Sequence, residues 1–354
     1  MKKTVFVGMS GGIDSSATVK LLVDQGYQVI GLTFVGLGET GSRKCCSVDE
    51  IQSAKNVCAA LEIEHKILDL KELFKAKVRN PFVQSYINGE TPNPCMLCNR
   101  HIKFGALVEY ALGEGADFVA MGHYCGIDNV DGEYLFRTGR DVEKDQSYFL
   151  AMIQPDVLEF LKFPLADMKK SEVRQIVAQA GIPIRSDKQE SQDICFVPDN
   201  YRDYLRTEGV DTNEGTMLIN EKPVARHDGV AFYSLGQRRG LGVSVGKKIF
   251  IRSIDAKKNI IVLGEKPSSR EFTVSGMNIF SRKFKDGPWL IQTRYRSTRV
   301  PGVVNRISDD EWKVFLDTPQ EIVSPGQYAV FYRDDHVYAG GKIKKVVLAE
   351  ENGC

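Results

Sequence analysis

Gly8-Met9-Ser10-Gly11-Gly12-Ile13-Asp14-Ser15-Ser16 stands close to the N-terminus and decides how the rest of the chain is read. Val5-Phe6-Val7, apolar and β-forming, leads into it, and an amphipathic helical pattern from Ala17 to Gln25 leads out. The stretch predicts a strand, a tight glycine turn and a helix. Gly11 and Gly12 let backbone N–H groups approach an anion with no Cβ in the way. Ser15 and Ser16 fall where a helix N-terminus offers N–H donors and a partial positive charge. Ser10 and Ser15 add hydroxyls. A ligand-free turn needs none of these serines, so the pattern points to a phosphate site.

The common nucleotide loops are absent. No Gly-Lys-Ser/Thr follows four residues after a glycine, and there is no Gly-x-Gly-x-x-Gly fingerprint. The order Ser-Gly-Gly-x-Asp-Ser instead resembles the pyrophosphate (PP) loop of the ATP-pyrophosphatase superfamily. That resemblance implies cleavage of ATP to AMP and pyrophosphate, with the adenylyl group activating an oxygen.

The chain has 354 residues, 42% hydrophobic and 26% charged. This is globular composition with room for two or three domains. No apolar run approaches the roughly 18 residues of a membrane span. Met1-Lys2-Lys3 leads straight into a strand, which argues against a signal peptide. Eight cysteines then suggest a reducing cytoplasm and chemical use rather than a disulfide framework. The net charge of +1 says nothing for nucleic acid over the whole chain, so any RNA surface must be local.

The first half alternates strand and helix. Val19, Leu22 and Val23 recur at helical spacing before Gly26, which suits a C-cap. Val29 to Phe34 and His65 to Leu70 read as strands around a helix marked by Ile51, Ala54, Cys58 and Leu61. Phe104, Leu107, Val108 and Ala111 mark a helix before the strand Phe118 to Gly122, and Val173, Ile176, Val177 and Ala180 a later one. The alternation implies a parallel sheet with right-handed crossovers, binding ligands at the carboxyl ends of its strands. The glycine loop, Phe34 and Gly122-His123-Tyr124 should meet at that edge.

From about Asn213 the pattern becomes short β-runs: Thr216 to Ile219, Lys248 to Ile254 and Ile260 to Leu263, the last two joined by a hairpin at Asp255 to Asn259. Phe272 to Val274, Leu290 to Arg294, Val303 to Ile307, Trp312 to Leu316 and Tyr328 to Tyr332 follow. The expected fold class is α/β. A parallel-sheet ATP-binding domain (1–205) precedes a small central β-rich domain (206–268) and a C-terminal β-barrel (269–354).

Thr91-Pro92-Asn93-Pro94-Cys95-Met96-Leu97-Cys98-Asn99 is a Cys-x-x-Cys in a loop stiffened by two prolines. Cys195 stands far downstream in the polar run Glu190 to Phe196. Small buried residues explain Cys58 and Cys125 well, and Cys95, Cys98 and Cys195 poorly. With His101, the three thiols fit a zinc site. The thiols alone fit a 4Fe-4S cluster with an open iron. Cys45 and Cys46 receive no role, and Cys354 reads as a free terminal thiol.

At this point the chain resembles the bacterial tRNA-specific 2-thiouridylases over essentially its whole length. Gly8 to Ser15 matches their ATP loop, Thr91 to Cys98 the first cysteine segment, and Gly122-His123-Tyr124 the adenine-side strand end. Lys144-Asp145-Gln146-Ser147-Tyr148-Phe149-Leu150 matches a tRNA-contacting segment and Asp193-Ile194-Cys195-Phe196 the second cysteine. Gly236-Gln237-Arg238-Arg239-Gly240-Leu241 and Arg294-Tyr295-Arg296 match the β-rich part. Three departures stand out: Cys95 where many members carry Asp, Phe34 where methionine is frequent, and Ser191-Gln192-Asp193 before the second cysteine.

The resemblance implies 2-thiolation of the wobble uridine in certain tRNAs. Gly8, Met9, Ser10, Gly11, Gly12, Ile13, Asp14, Ser15, Phe34 and Gly122 would bind ATP, with Mg²⁺ on its phosphates. Asn93, Pro94, Cys95, Lys144, Asp145, Gln146, Arg294 and Tyr295 would contact tRNA. Cys98 would be the nucleophile and Cys195 the persulfide carrier, closing a Cys98–Cys195 disulfide. No protein-held metal is required on this route. A cysteine desulfurase or persulfide relay protein would supply sulfur to a cytoplasmic, monomeric enzyme that needs no membrane.

Charge offers separate support. Arg282, Lys283, Lys285, Arg294, Arg296, Arg299 and Arg306 cluster with Trp289 and Tyr295, and Asp286 is the single acid among them. Such a strip suits phosphate contact and base stacking on RNA. Another PP-loop synthetase or amidotransferase would need neither Cys98 nor Cys195. An RNA-binding protein with a decayed nucleotide site would not need Ser10, Asp14 and Ser15 intact.

Overall fold

Val5, Phe6 and Val7 are fully buried because the strand that carries them lies in the middle of a sheet covered on both faces. The computed structural model describes residues 2–36, 48–184, 194–197 and 200–349. Cys45, Cys46, Cys354 and Ser191-Gln192-Asp193 lie outside the described residues.

In chain order the first strands are β1 (Thr4–Gly8), β2 (Gln28–Val35), β3 (Glu64–Asp69), β4 (Phe118–Ala120), β5 (Cys125–Val130), β6 (Glu133–Thr138) and β7 (Leu161–Lys162). The helices are α1 (Ile13–Asp24), α2 (Val48–Ala60), α3 (Lys71–Phe74), α4 (Asn80–Ile87), α5 (Pro94–Cys98), α6 (Leu107–Gly113), α7 (Lys170–Gln179) and α8 (Tyr201–Thr207). A five-stranded parallel sheet has the order β3-β2-β1-β4-β7. Chain order reverses between β1 and β4, which opens a crevice at their carboxyl ends. One face packs on α1, α2 and α7 through Ala17, Val19, Leu22, Val57, Val173 and Val177. Gly26, at φ +85°, and Gly181, at φ +62°, end α1 and α7 in the left-handed conformation that glycine tolerates.

The next strands are β8 (Gly215–Ile219), β9 (Lys222–His227), β10 (Phe250–Asp255) and β11 (Ile260–Gly264), ordered β10-β11-β8-β9. The hairpin expected at Asp255 to Asn259 joins β10 to β11, pairing Asp255 with Ile260. Then come β12 (Ser268–Ile279), β13 (Gly287–Gln292), β14 (Val300–Arg306), β15 (Glu311–Glu321), β16 (Tyr328–Arg333) and β17 (His336–Leu348). The order β12-β15-β14-β13-β16-β17, with β12 also paired to β17, closes a six-stranded barrel. The buried/exposed alternation of β14 from Val300 to Asn305 is what a barrel wall demands.

Two features depart from the sequence reading. The strand expected over Leu290 to Arg294 ends at Gln292, and Arg294 starts a turn closed by Ser297 N–H to its carbonyl at 3.0 Å. The hairpin β5–β6, unread in the sequence, leaves the first domain and extends the barrel sheet beside β17. Phe136 on β6 explains the attachment. It is fully buried, with its ring 5.5 Å from Phe280 and 6.0 Å from Phe163.

Phe136→Ala should therefore lower unfolding free energy by about 3–5 kcal/mol, because the cavity opens where two domains share a core. Urea unfolding followed by fluorescence checks this. A loss below about 1 kcal/mol would mean that the hairpin is held by its strand pairing alone.

Candidate active site

The loop after β1 folds as its sequence requires. Gly11 has φ +64°, and a Cβ there would sit 2.6 Å from Ser53 Cβ and 2.7 Å from Ala54 N, so only glycine fits. Gly12 precedes α1 in extended conformation, and its carbonyl accepts from Ser15 Oγ at 3.1 Å and Ser16 Oγ at 2.8 Å. The Ser15 hydroxyl also accepts from Ser10 N at 3.3 Å and lies 3.4 Å from Ser10 Oγ. Met9 is tied to β2, its N–H donating to Leu32 O at 2.8 Å and its carbonyl accepting from Thr33 Oγ1 at 3.0 Å. Phe34 follows directly, half-buried, its ring 6.3 Å from Phe74.

Gly122 reaches the same place from β4. A Cβ on it would lie 2.9 Å from the Asp14 carbonyl carbon and 3.0 Å from Ser15 N. The two loops thus touch backbone to backbone at the switch point. Two more residues complete this corner: Tyr124, expected at this edge from the Gly122-His123-Tyr124 run, and Lys170, which the sequence reading missed. Tyr124 OH donates to Asp14 Oδ1 at 2.7 Å, and Lys170 Nζ donates to both Asp14 oxygens at 2.8 Å. Lys170 comes from the start of α7, far along the chain, and no local pattern links it to the loop.

The cysteine loop is anchored from the barrel side. Thr91 N–H donates to Pro325 O at 2.8 Å, and Gln327 Nε2 donates to Thr91 O at 3.0 Å and Pro92 O at 3.2 Å. Asn93 precedes α5 and Pro94 is its first residue, leaving Cys95 exposed and Cys98 buried. A π-helical stretch over Asn99–Ala106 continues α5, a local distortion frequent at functional sites. Cys98 belongs to an apolar cluster with Phe74, Phe82, Phe196 and Tyr204, and Cys195 packs against that same cluster. Phe196 is the anchor, 5.1 Å from the Phe82 ring and 5.7 Å from the Phe74 ring. Phe34 also packs on this cluster, one residue beyond Thr33, whose hydroxyl ties the phosphate loop at Met9 O.

Cys58 and Cys125 are fully buried elsewhere. Desolvation pushes the Cys58 thiol up to about 11 and Cys125 well above the ordinary range, so both are poor nucleophiles. The described residues hold no group of three or more His, Cys, Asp or Glu side chains placed to bind a metal. Cys95, Cys98, Cys195 and His101 are not gathered into such a group among the described residues.

Of the remaining candidates, Tyr295 and Arg294 lie near the cysteine loop. Asn99 Nδ2 donates to Phe149 O at 2.9 Å, and the Phe149 ring lies 4.3 Å from that of Tyr295. Arg294 is exposed beside it and lines a cleft of about 470 Å³ with Thr91, Tyr201, Arg202 and Gln327. Lys144 and Gln146 are half-buried. Gln146 clasps Tyr124 by its N–H to Tyr124 O and by its Oε1 from Tyr124 N, both 3.0 Å. The Asp145 carboxylate is taken up internally by Gly139 N–H, Ser147 N–H and Ser147 Oγ.

The basic strip is not one surface. Trp289 is 4% exposed and donates to Lys285 O, so it is core rather than a stacking platform. Arg299 lies 3.7 Å over Tyr332, Lys283 pairs with Asp131, and Arg306 with Asp309. Arg294 and Arg296 remain exposed around Tyr295. No described helix is long and apolar enough to cross a membrane.

Residues 3–199 match the tRNA methyl transferase HUP domain, 203–265 the tRNA methyl transferase PRC-barrel domain and 269–343 the aminomethyltransferase beta-barrel domain. The tRNA-specific 2-thiouridylase MnmA of Carboxydothermus hydrogenoformans is 38% identical over 97% of this chain and 98% of its own length. That of Syntrophomonas wolfei is 40% identical over 96% and 99%. That of Rickettsia peacockii is 37% identical over 98% of both chains. With three domains matched in order and relatives aligned end to end, this chain belongs to the tRNA-specific 2-thiouridylase family.

Proposed function

We propose that the protein is an ATP-dependent tRNA-uridine 2-sulfurtransferase acting in the cytoplasm as a monomer. The observation that carries this reading is Phe34. It follows Thr33, which is bonded to the phosphate-type loop at Met9 O, and it packs on an apolar cluster that holds one cysteine, Cys98, and receives another, Cys195. A synthetase acting on small carboxylates has no use for that second half.

C2 of uracil is a weak electrophile whose oxygen leaves poorly. The uracil O2 attacks the α-phosphorus of ATP, the bond to the β-phosphate oxygen breaks, and pyrophosphate leaves with the electron pair while the N3 proton is lost. Residues Gly8 to Ser15 hold the phosphates through N–H groups and hydroxyls that need no rearrangement. Phe34 and Gly122 border the adenine. Mg²⁺ needs only one or two carboxylates beside phosphate oxygens, and Asp14 is the carboxylate this loop offers; the ion would neutralise phosphate charge.

Cys195 carries the terminal persulfide sulfur, delivered by a cysteine desulfurase or a persulfide relay protein. The Cys98 thiolate attacks the Cys195 sulfur, forming the Cys98–Cys195 disulfide and releasing hydrosulfide. Hydrosulfide adds at C2 and AMP leaves, giving the thiocarbonyl. A two-electron reductant reopens the disulfide. Asn93, Pro94 and Cys95 border the target base, and Lys144, Gln146, Arg294 and Tyr295 meet the tRNA. Asp145 shapes the loop between them through the bonds that occupy it.

The direct test supplies ATP, Mg²⁺, a sulfide donor and unmodified tRNA, then analyses nucleosides by mass. 2-Thiouridine should appear only with ATP, and sulfur at another uridine position or none at all would overturn the reading. Gly122→Val should cut AMP formation by about a hundredfold, because its side chain collides with Asp14 and Ser15, while tRNA binding changes little. Equal loss of both would show that the loop and the RNA surface are one unit.

Arg296→Ala should weaken tRNA binding and make its salt dependence shallower by about one ion per lost phosphate contact. Filter binding across a salt series reads this, and an unchanged slope would place the RNA elsewhere. Cys95→Asp should keep most of the activity, whereas Cys98→Ser should abolish sulfur transfer and spare adenylation. Loss of activity in Cys95→Asp equal to that in Cys98→Ser would make all three thiols essential, against the two-cysteine route.

A further inference from the structure

A carboxylate at the mouth of a phosphate loop poses an electrostatic problem. Asp14 sits in the first turn of α1, beside the serines that would meet a triphosphate, and it would repel one. The segment Gly8 to Ser16 contains no basic residue to offset it. Beside any Mg²⁺ on the phosphates, the chain itself supplies a cation from elsewhere. Lys170 Nζ lies 2.8 Å from both Asp14 oxygens and 5.7 Å from the Tyr124 ring centroid.

The lysine is held at its base and adjustable at its tip. Its N–H donates to Asp141 Oδ2 at 2.9 Å, and Lys169 N–H donates to Glu172 Oε2 at 2.6 Å, which fixes the start of α7. The Lys170 side chain is 11% exposed and that of Asp14 34%, so the pair stands at a crevice rather than inside the core. A four-carbon stem lets the ammonium shift while its Cα stays. Tyr124, clasped by Gln146, keeps Asp14 pointed at it.

We propose that Lys170 is the phosphate-binding cation of this loop: it contacts the β- and γ-phosphate oxygens of ATP and holds the leaving pyrophosphate, with Asp14 and Tyr124 keeping it in place. The proposal rests on the ATP site described above. As the bond between the α-phosphorus and the β-phosphate oxygen breaks, the electron pair moves onto pyrophosphate, and the ammonium lies where that charge grows. Lys170 thereby supplies from α7 the charge that other nucleotide loops carry within their own sequence.

Calorimetric titration of the full chain with ATP, inorganic pyrophosphate and AMP tests this. K170M should bind ATP and pyrophosphate about tenfold or more weakly, with AMP affinity unchanged, and K170R should recover part of the loss. Equal weakening of AMP and pyrophosphate would make Lys170 a brace of the loop, and no weakening of either would place the phosphates elsewhere. Both outcomes overturn the proposal. If K170M does not fold, K170R alone decides it: pyrophosphate affinity should fall while AMP affinity holds, and no difference between the two ligands overturns it. Failure of the unsubstituted protein to bind ATP would instead overturn the ATP site itself.

Discussion

Backbone contact between Gly122 and the Asp14–Ser15 peptide is the constraint on which the rest of the site depends. It exists because strand order reverses between β1 and β4, so the chain leaves the two strands in opposite directions and opens a crevice between them. A side chain at position 122 would hold the loops apart. Without one, the phosphate loop, Tyr124 and the start of α7 converge on a single carboxylate, Asp14. The hydrogen bonds that fix Tyr124 come from Gln146, so the residues proposed to meet tRNA and the loop proposed to hold ATP are joined through two side chains.

A second anchor works from the opposite end of the chain. The barrel residues Pro325 and Gln327 hold Thr91 and Pro92, and thereby aim the short helix that presents Cys95 outward and Cys98 inward. Gly326 has φ +93°, and a Cβ on it would lie 2.9 Å from Thr91 O. The barrel is therefore part of the cysteine site. The central β unit has a parallel role, since its Phe232, Ile251 and Ile261 complete the apolar cluster in which Cys98 and Phe196 sit.

Much of this was legible in the sequence because it is local. The Ser-Gly-Gly-x-Asp-Ser turn, the period-3.6 helices and the β-runs after Asn213 each carry their own signal within a few residues. What was missed is what only the fold brings together. Lys170 lies 156 residues from Asp14, and nothing near it announces a phosphate site. The hairpin Cys125–Thr138 escaped because its strands alternate weakly and one end faces a distant domain. The basic strip misled for the opposite reason. Charge counting cannot tell Arg299, spent on Tyr332 and Asp145, from Arg296, which is exposed. Trp289 likewise looks like a stacking platform until its burial is known.

The account stands or falls on whether one chain joins adenylation to a two-cysteine sulfur transfer. A single turnover measures this directly. Protein preloaded with one persulfide sulfur is mixed with ATP, Mg²⁺ and unmodified tRNA, without donor or reductant. AMP, 2-thiouridine and disulfide-linked peptides are then counted by mass. The account predicts one AMP and one 2-thiouridine per chain, with a Cys98–Cys195 disulfide of equal yield. Thiolation that proceeds with both cysteines still reduced would contradict it.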